Sequence, residues 1–143
     1  MADQTPLAVA LFSELLAADA RLKARITKIL PFRLELSHFM VLNHLAGAGR
    51  ERAPVDLARA FNQTKGAMTN TLSKLEAQGY IHIRPDWDDG RRKWISISEA
   101  GLDARDLAVR ALEPLFAEVL GGLSDEEAKA GLRFLRRLRA LLD

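Results

Sequence analysis

The sequence predicts a mainly α fold that carries one small β-hairpin. Two observations predict it. Apolar residues recur at helical spacing through most of the 143 residues, and between Gly79 and Ser98 the period drops from about 3.6 to 2. Length and ordinary apolar content supply the frame: 143 residues is the usual size of one domain and can bury a real core, so one folded unit over 1–143 is expected.

The first helix opens at Thr5-Pro6, read as an N-cap followed by a first-turn proline, and runs apolar at Leu11, Phe12, Leu15, Leu16, Leu22, Ile26 and Ile29 until Pro31 stops it. Ser37 is read as the cap of a second helix through Phe39, Met40, Leu42, Asn43 and Leu45, ending in Gly47-Ala48-Gly49. A polar loop, Arg50-Glu51-Arg52, leads to Pro54 and a short helix marked by Val55, Leu57, Ala58 and Phe61. After a turn at Asn62-Gln63, Thr64 can cap a fourth helix whose apolar face is Met68, Leu72 and Leu75. Its other face carries Lys65, Gly66, Thr69, Asn70, Ser73 and Lys74, and Gly79 closes it.

Beyond Gly79, Ile81 and Ile83 alternate with His82 and Arg84, and Ile95 and Ile97 with Trp94 and Ser96, which reads as two short strands. The Asp89-Gly90 step between them signals a hairpin turn with Arg91 and Arg92 on its far side. Ser98-Glu99 starts a long helix through Leu102, Leu107, Val109, Leu112, Leu115, Phe116 and Val119, where Pro114 is a candidate kink. Ser124 with Glu127 three residues on forms a capping-box pattern before a last helix striped by Leu132, Leu135, Leu138 and Leu142.

Composition narrows the function. The absence of Cys excludes disulfides, thiolate metal sites and a cysteine redox switch. The opening MADQTPLAVALFSELLAAD lacks a basic n-region, and polar residues interrupt every apolar run, so a cytoplasmic location with no membrane partner is expected. His38, His44 and His82 make no HExxH motif, no Gly-rich phosphate loop occurs and no Ser sits in a nucleophile elbow, so neither enzyme, metal nor cofactor is expected. Net charge is only +2 with a pI near 9.2, and Arg133, Arg136, Arg137 and Arg139 read as a solvated helix face.

Placement of charge says more. A helix presented to DNA buries one face on its own domain and offers short polar side chains among Lys or Arg on the other, as 64–78 does. Thr64, Lys65, Ser73 and Lys74 suit phosphates; Thr69 and Asn70 suit base edges, Asn being able to pair bidentately with adenine. Gly66 on the same face, with Arg84, Asp89, Arg91 and Arg92 on the hairpin, completes the candidate set. Alone, a polar helix face is more often plain surface and a basic hairpin tip a soluble turn. A short helix, tight turn, polar helix and basic hairpin in this order form a winged helix-turn-helix.

The runs TKGAMTNTLSKLEAQGYI (64–81) and RPDWDDGRRKWISISEAG (84–101) resemble the MarR family of winged-helix transcriptional regulators. Family wings typically read Asp-Arg-Arg; here Asp89-Gly90-Arg91 stands in that place, and Asn70 falls where a basic residue is frequent. The resemblance implies that Asp89 orients the wing and Arg91 enters the minor groove. It also implies a homodimer whose N- and C-terminal helices, 1–36 and 99–143, intertwine, with 37–98 as the DNA-binding lobe on a pseudo-palindromic operator. Richness in Leu and Phe far from the reading segment points the same way. Such a protein is a sequence-specific regulator, acting as a ligand-responsive repressor; the alternative is a winged helix used only for protein contacts. A small aromatic or phenolic effector would bind between the dimer helices and the lobe, with Phe12, Leu16, His38, Phe39, Asn43 and Trp87 as candidate lining. Against that, Phe12, Leu16 and Phe39 read more simply as core, and His38 as a hydrogen-bonded helix-start residue.

Overall fold

The structure, a computed structural model, describes residues 3–143. Its order is α1 (Thr5–Ile29), α2 (Leu36–Ala48), α3 (Pro54–Ala60), α4 (Lys65–Ala77), β1 (Ile81–Pro85), β2 (Lys93–Ile97), α5 (Glu99–Gly121) and α6 (Asp125–Leu142). The described residues fall into two compact units, one running to Ala111 and the other Leu112–Asp143, so the boundary lies within α5. No helix among them is long and apolar enough to cross a membrane.

Two helix starts differ from the sequence reading. Thr5 is already inside α1, behind a Gln4 N-cap that makes no side-chain bond, because its own N–H is taken by the Asp3 carboxylate at 2.9 Å. Helix α2 begins at Leu36, one residue before the expected Ser37 cap, and Glu35 is the extended N-cap residue. A turn at Pro31–Leu34, with Phe32 and Arg33 at positive φ, sets that earlier start; no serine cap is needed because the turn itself reorients the chain.

The other boundaries follow their local chemistry. Gly49 ends α2 in the left-handed conformation that glycine adopts without a Cβ clash. The Thr64 hydroxyl accepts from the Ala67 N–H at 3.1 Å and caps α4, while Gly79 at φ +77° lets Tyr80 N–H return to the Leu75 carbonyl.

The core of the first unit draws on every element of the lobe: Val41, Leu42 and Leu45 from α2, Leu57 and Ala58 from α3, Met68, Leu72 and Leu75 from α4, and Ile81 and Ile95 from the strands. The strands pair antiparallel with Ile81 opposite Ile97 and Ile83 opposite Ile95, which keeps the alternating isoleucines on one face. The polar loop before α3 adds a short edge to them, since Arg52 exchanges both backbone bonds with Ile95 at 2.9 and 2.8 Å. At the far end of the hairpin, buried Ser98 donates to the Gly79 carbonyl at 2.6 Å and accepts from the Gly101 N–H. A Cβ on Gly101 would overlap the Tyr80 carbonyl oxygen, so α5 starts pressed against the backbone that joins α4 to β1.

In the second unit, the Ser124 and Glu127 capping box is present in both directions, at 3.1 and 3.4 Å. Helix α6 buries no residue, nor does α1 in the first unit.

Candidate nucleic-acid interface

Met68, Leu72 and Leu75 tie α4 to the core, and the helical period therefore turns Lys65, Gly66, Thr69, Asn70, Ser73 and Lys74 outward, all exposed. They form two rows at four-residue spacing. Lys65, Thr69 and Ser73 line a cleft of about 510 Å³; Gly66, Asn70 and Lys74 make the neighbouring row. Gly66 meets no internal neighbour that would exclude a Cβ, so its bareness leaves the first turn of α4 uncovered rather than relieving a clash. The Thr69 hydroxyl donates to the Lys65 carbonyl at 2.8 Å, which leaves its oxygen lone pairs to act as acceptors.

The opposite wall of the cleft is the hairpin, through Ile83, Arg91, Arg92, Lys93, Trp94 and Ile95, and Ala53–Asp56 close one end. Lys65, Arg91, Arg92 and Lys93 are set against the single carboxylate of Asp56, so the cleft is cationic over an apolar floor of Leu72, Ile83 and Ile95.

The wing loop owes its shape to two aspartates. Asp89 accepts the Arg91 N–H at 3.0 Å while its carbonyl accepts from Arg92, forming a side-chain turn that presents Arg91 at the tip. Gly90 does not adopt positive φ, so the turn rests on Asp89 and not on glycine freedom. Asp86 accepts from the Asp88 N–H at 2.9 Å and from Trp94 Nε1 at 3.1 Å, and these bonds hold its carboxyl below the usual carboxylate range.

Arg84, expected from the sequence to face DNA, is engaged within the chain. Its Nε and Nη2 donate to the two carboxylate oxygens of Glu51 at 2.7 and 2.6 Å, and its guanidinium lies 4.3 Å from the Trp87 ring centroid. Those hydrogen bonds, with the charge behind them, lower the Glu51 carboxyl and raise the Arg84 guanidinium. From the sequence Glu51 and Arg52 read only as part of a polar loop, and Lys93 only as one of a basic cluster with Arg91 and Arg92. Glu51 and Arg84 lie 33 positions apart, and no local pattern announces their meeting.

The residues proposed for an effector are scattered over three elements. Phe12 and Leu16 share an open groove on α1 with Ala8 and Val9. They are 43% and 68% exposed, which overturns their reading as core. Asn43 accepts from Arg105 Nε at 3.1 Å, Phe39 is half-buried, and Trp87 is on the wing, 82% exposed. His38 is 4% exposed, with Nε2 3.7 Å from Glu35 and Nδ1 without a hydrogen bond, so it is not the satisfied helix-start residue expected. Burial, assisted by the charge of Lys74 and opposed by Glu35, lowers its pKa.

Residues 34–92, the stretch that builds α2 through the wing, match the model of the MarR family. The winged helix-turn-helix of this chain is thus similar to that of the MarR family. Solved MarR-like structures share the fold over nearly the whole length of this chain. A probable transcriptional regulator from Pseudomonas aeruginosa is 25% identical with a TM-score of 0.74, over 87% of this chain and 92% of that one. A MarR mutant from E. coli complexed with operator DNA is 19% identical with a TM-score of 0.80, over 96% and 99%. BpsR from Bordetella bronchiseptica, whose DNA binding is regulated by 6-hydroxynicotinic acid, is 23% identical with a TM-score of 0.76, over 89% and 91%.

Proposed function

We propose that this chain is a sequence-specific DNA-binding transcriptional regulator, a cytoplasmic repressor that binds a pseudo-palindromic operator as a homodimer and releases it on binding a small aromatic or phenolic effector. One observation carries the reading: the exposed polar face of a capped helix and a cationic wing frame a single cleft. In a duplex-bound state α4 lies in the major groove, with Asn70 and Thr69 at base edges and Thr64, Lys65, Ser73 and Lys74 at phosphates. The bare first turn of α4 adds backbone N–H groups that favour a phosphate. The wing follows the backbone and places Arg91, flanked by Arg92, in the adjacent minor groove, whose negative potential attracts arginine. The operator complex of the E. coli MarR mutant and the effector response of BpsR support the DNA and effector parts of this reading.

Selection of bound duplexes from a random pool tests it. The expected product is a palindromic consensus with half-sites about one helical turn apart. A pool that shows no enrichment, with no salt-dependent retention on duplex DNA, would overturn the reading in favour of a winged helix that contacts protein only.

A further inference from the structure

We propose that Glu51 is a positioning residue for the wing, holding Arg84 so that the hairpin, and with it Arg91, stands at a set distance from α4. The inference rests on the DNA-reading function above. Strands of five residues in a two-stranded hairpin are marginal by themselves, so the orientation of this one depends on what fastens it to the lobe. Its base is fastened by buried Ile81 and Ile95 and by the backbone exchange between Arg52 and Ile95. Past Ile95 the remaining rungs are Arg84 with Trp94 and Pro85 with Lys93, after which the chain enters the wing loop.

Arg84 is therefore the outer tether. A guanidinium donating from two nitrogens to two carboxylate oxygens fixes orientation as well as distance, which a single-point contact cannot do. The tether extends into the loop: Arg84 lies over the Trp87 ring, and Asp86 next to it holds the Trp94 indole. Glu51 sits directly before the Arg52 bridge, so the same loop grips the hairpin at two adjacent points.

Charge and position make opposite predictions for Glu51. If it served only to neutralise Arg84, removing it would free a cation beside the wing and tighten binding to any duplex. If it positions the wing, Glu51→Gln weakens binding to the preferred duplex even though the protein becomes more positive. The experiment uses the full-length protein and the duplex recovered by wild-type selection, with circular dichroism checking that each variant is folded. Glu51→Gln is expected to bind that duplex about five- to tenfold more weakly while a scrambled duplex is bound as well or better. The swap Glu51→Arg with Arg84→Glu, which keeps the net charge, is expected to recover most of the loss. Without DNA, Glu51→Gln is expected to change Trp emission, because Arg84 leaves the Trp87 ring. Unchanged or tighter binding of the preferred duplex by Glu51→Gln overturns the inference alone, whereas failure of the wild-type chain to select any duplex removes the reading beneath it.

Discussion

Asn70 and Lys74 occupy the same exposed row of α4 one turn apart, yet their chemistry makes them fail differently. Asn70→Ala is expected to cost about 1–3 kcal/mol on the preferred site and to relax the choice at one or two base pairs per half-site, leaving nonspecific binding nearly unmoved. Lys74→Ala is expected to weaken all sequences alike and to lower the salt slope by about one per lost phosphate contact. A selectivity profile left intact by Asn70→Ala would show that it reads no base. His38 supplies a second prediction. Because burial lowers its folded pKa, the unfolded chain takes up the proton first, and stability is expected to fall as pH drops through about 6.5, the ordinary histidine value. Glu51 and Asp86 are lowered from the carboxylate range, so their loss begins only at more acid pH and does not overlap. Thermal melts between pH 7.5 and 5.5 check this: the decline should flatten in His38→Gln, and an identical decline in both proteins would show that another group is responsible. That Asn70 and Lys74 face outward was legible from the Met68, Leu72 and Leu75 stripe. His38 was not, since a histidine two residues into a helix reads the same whether it meets solvent or a packed wall.

At the scale of elements, the wing works only if its tip and its base are both set. The Asp89 side chain fixes the turn that presents Arg91, and the exposed Arg91 side chain forms no hydrogen bond or ion pair among the described residues. Arg91→Ala is therefore expected to weaken binding broadly across sequences and to leave the melting temperature close to wild type. Competition assays on several duplexes at physiological salt would show it, and unchanged affinity would remove Arg91 from the interface. Most element boundaries could be read from single residues: Thr64, Gly49, Gly79 and Ser124 act through bonds or φ values confined to a few neighbours. Thr5 and Ser37 misled because a side chain that can cap does so only if the preceding backbone turns into the helix there, and at both places another residue made that turn.

For the whole molecule, the apolar residues left outside matter most. Leu7, Val9, Phe12 and Leu16 of α1 and Leu132, Phe134, Leu135 and Leu141 of α6 are all exposed in the single chain. Surfaces of this kind at both ends of a chain are what an isologous interface requires. The proposed homodimer is accordingly expected to survive dilution, with light scattering giving twice the chain mass and with melting that depends on protein concentration. A folded monomer that binds the selected duplex tightly would contradict it.

The sequence by itself determined the order of elements, the two faces of α4 and the hairpin with its cationic side, because each depends on periodicity or on a bond between near neighbours. Only the tertiary structure decided that Arg84 is held by Glu51, that Arg52 extends the hairpin edge, that His38 is buried with an unbonded nitrogen, and that Phe12 and Leu16 are uncovered within one chain. Those facts depend on residues far apart in the chain arriving at one place, and periodicity tells which face of an element turns inward without telling what it will meet there.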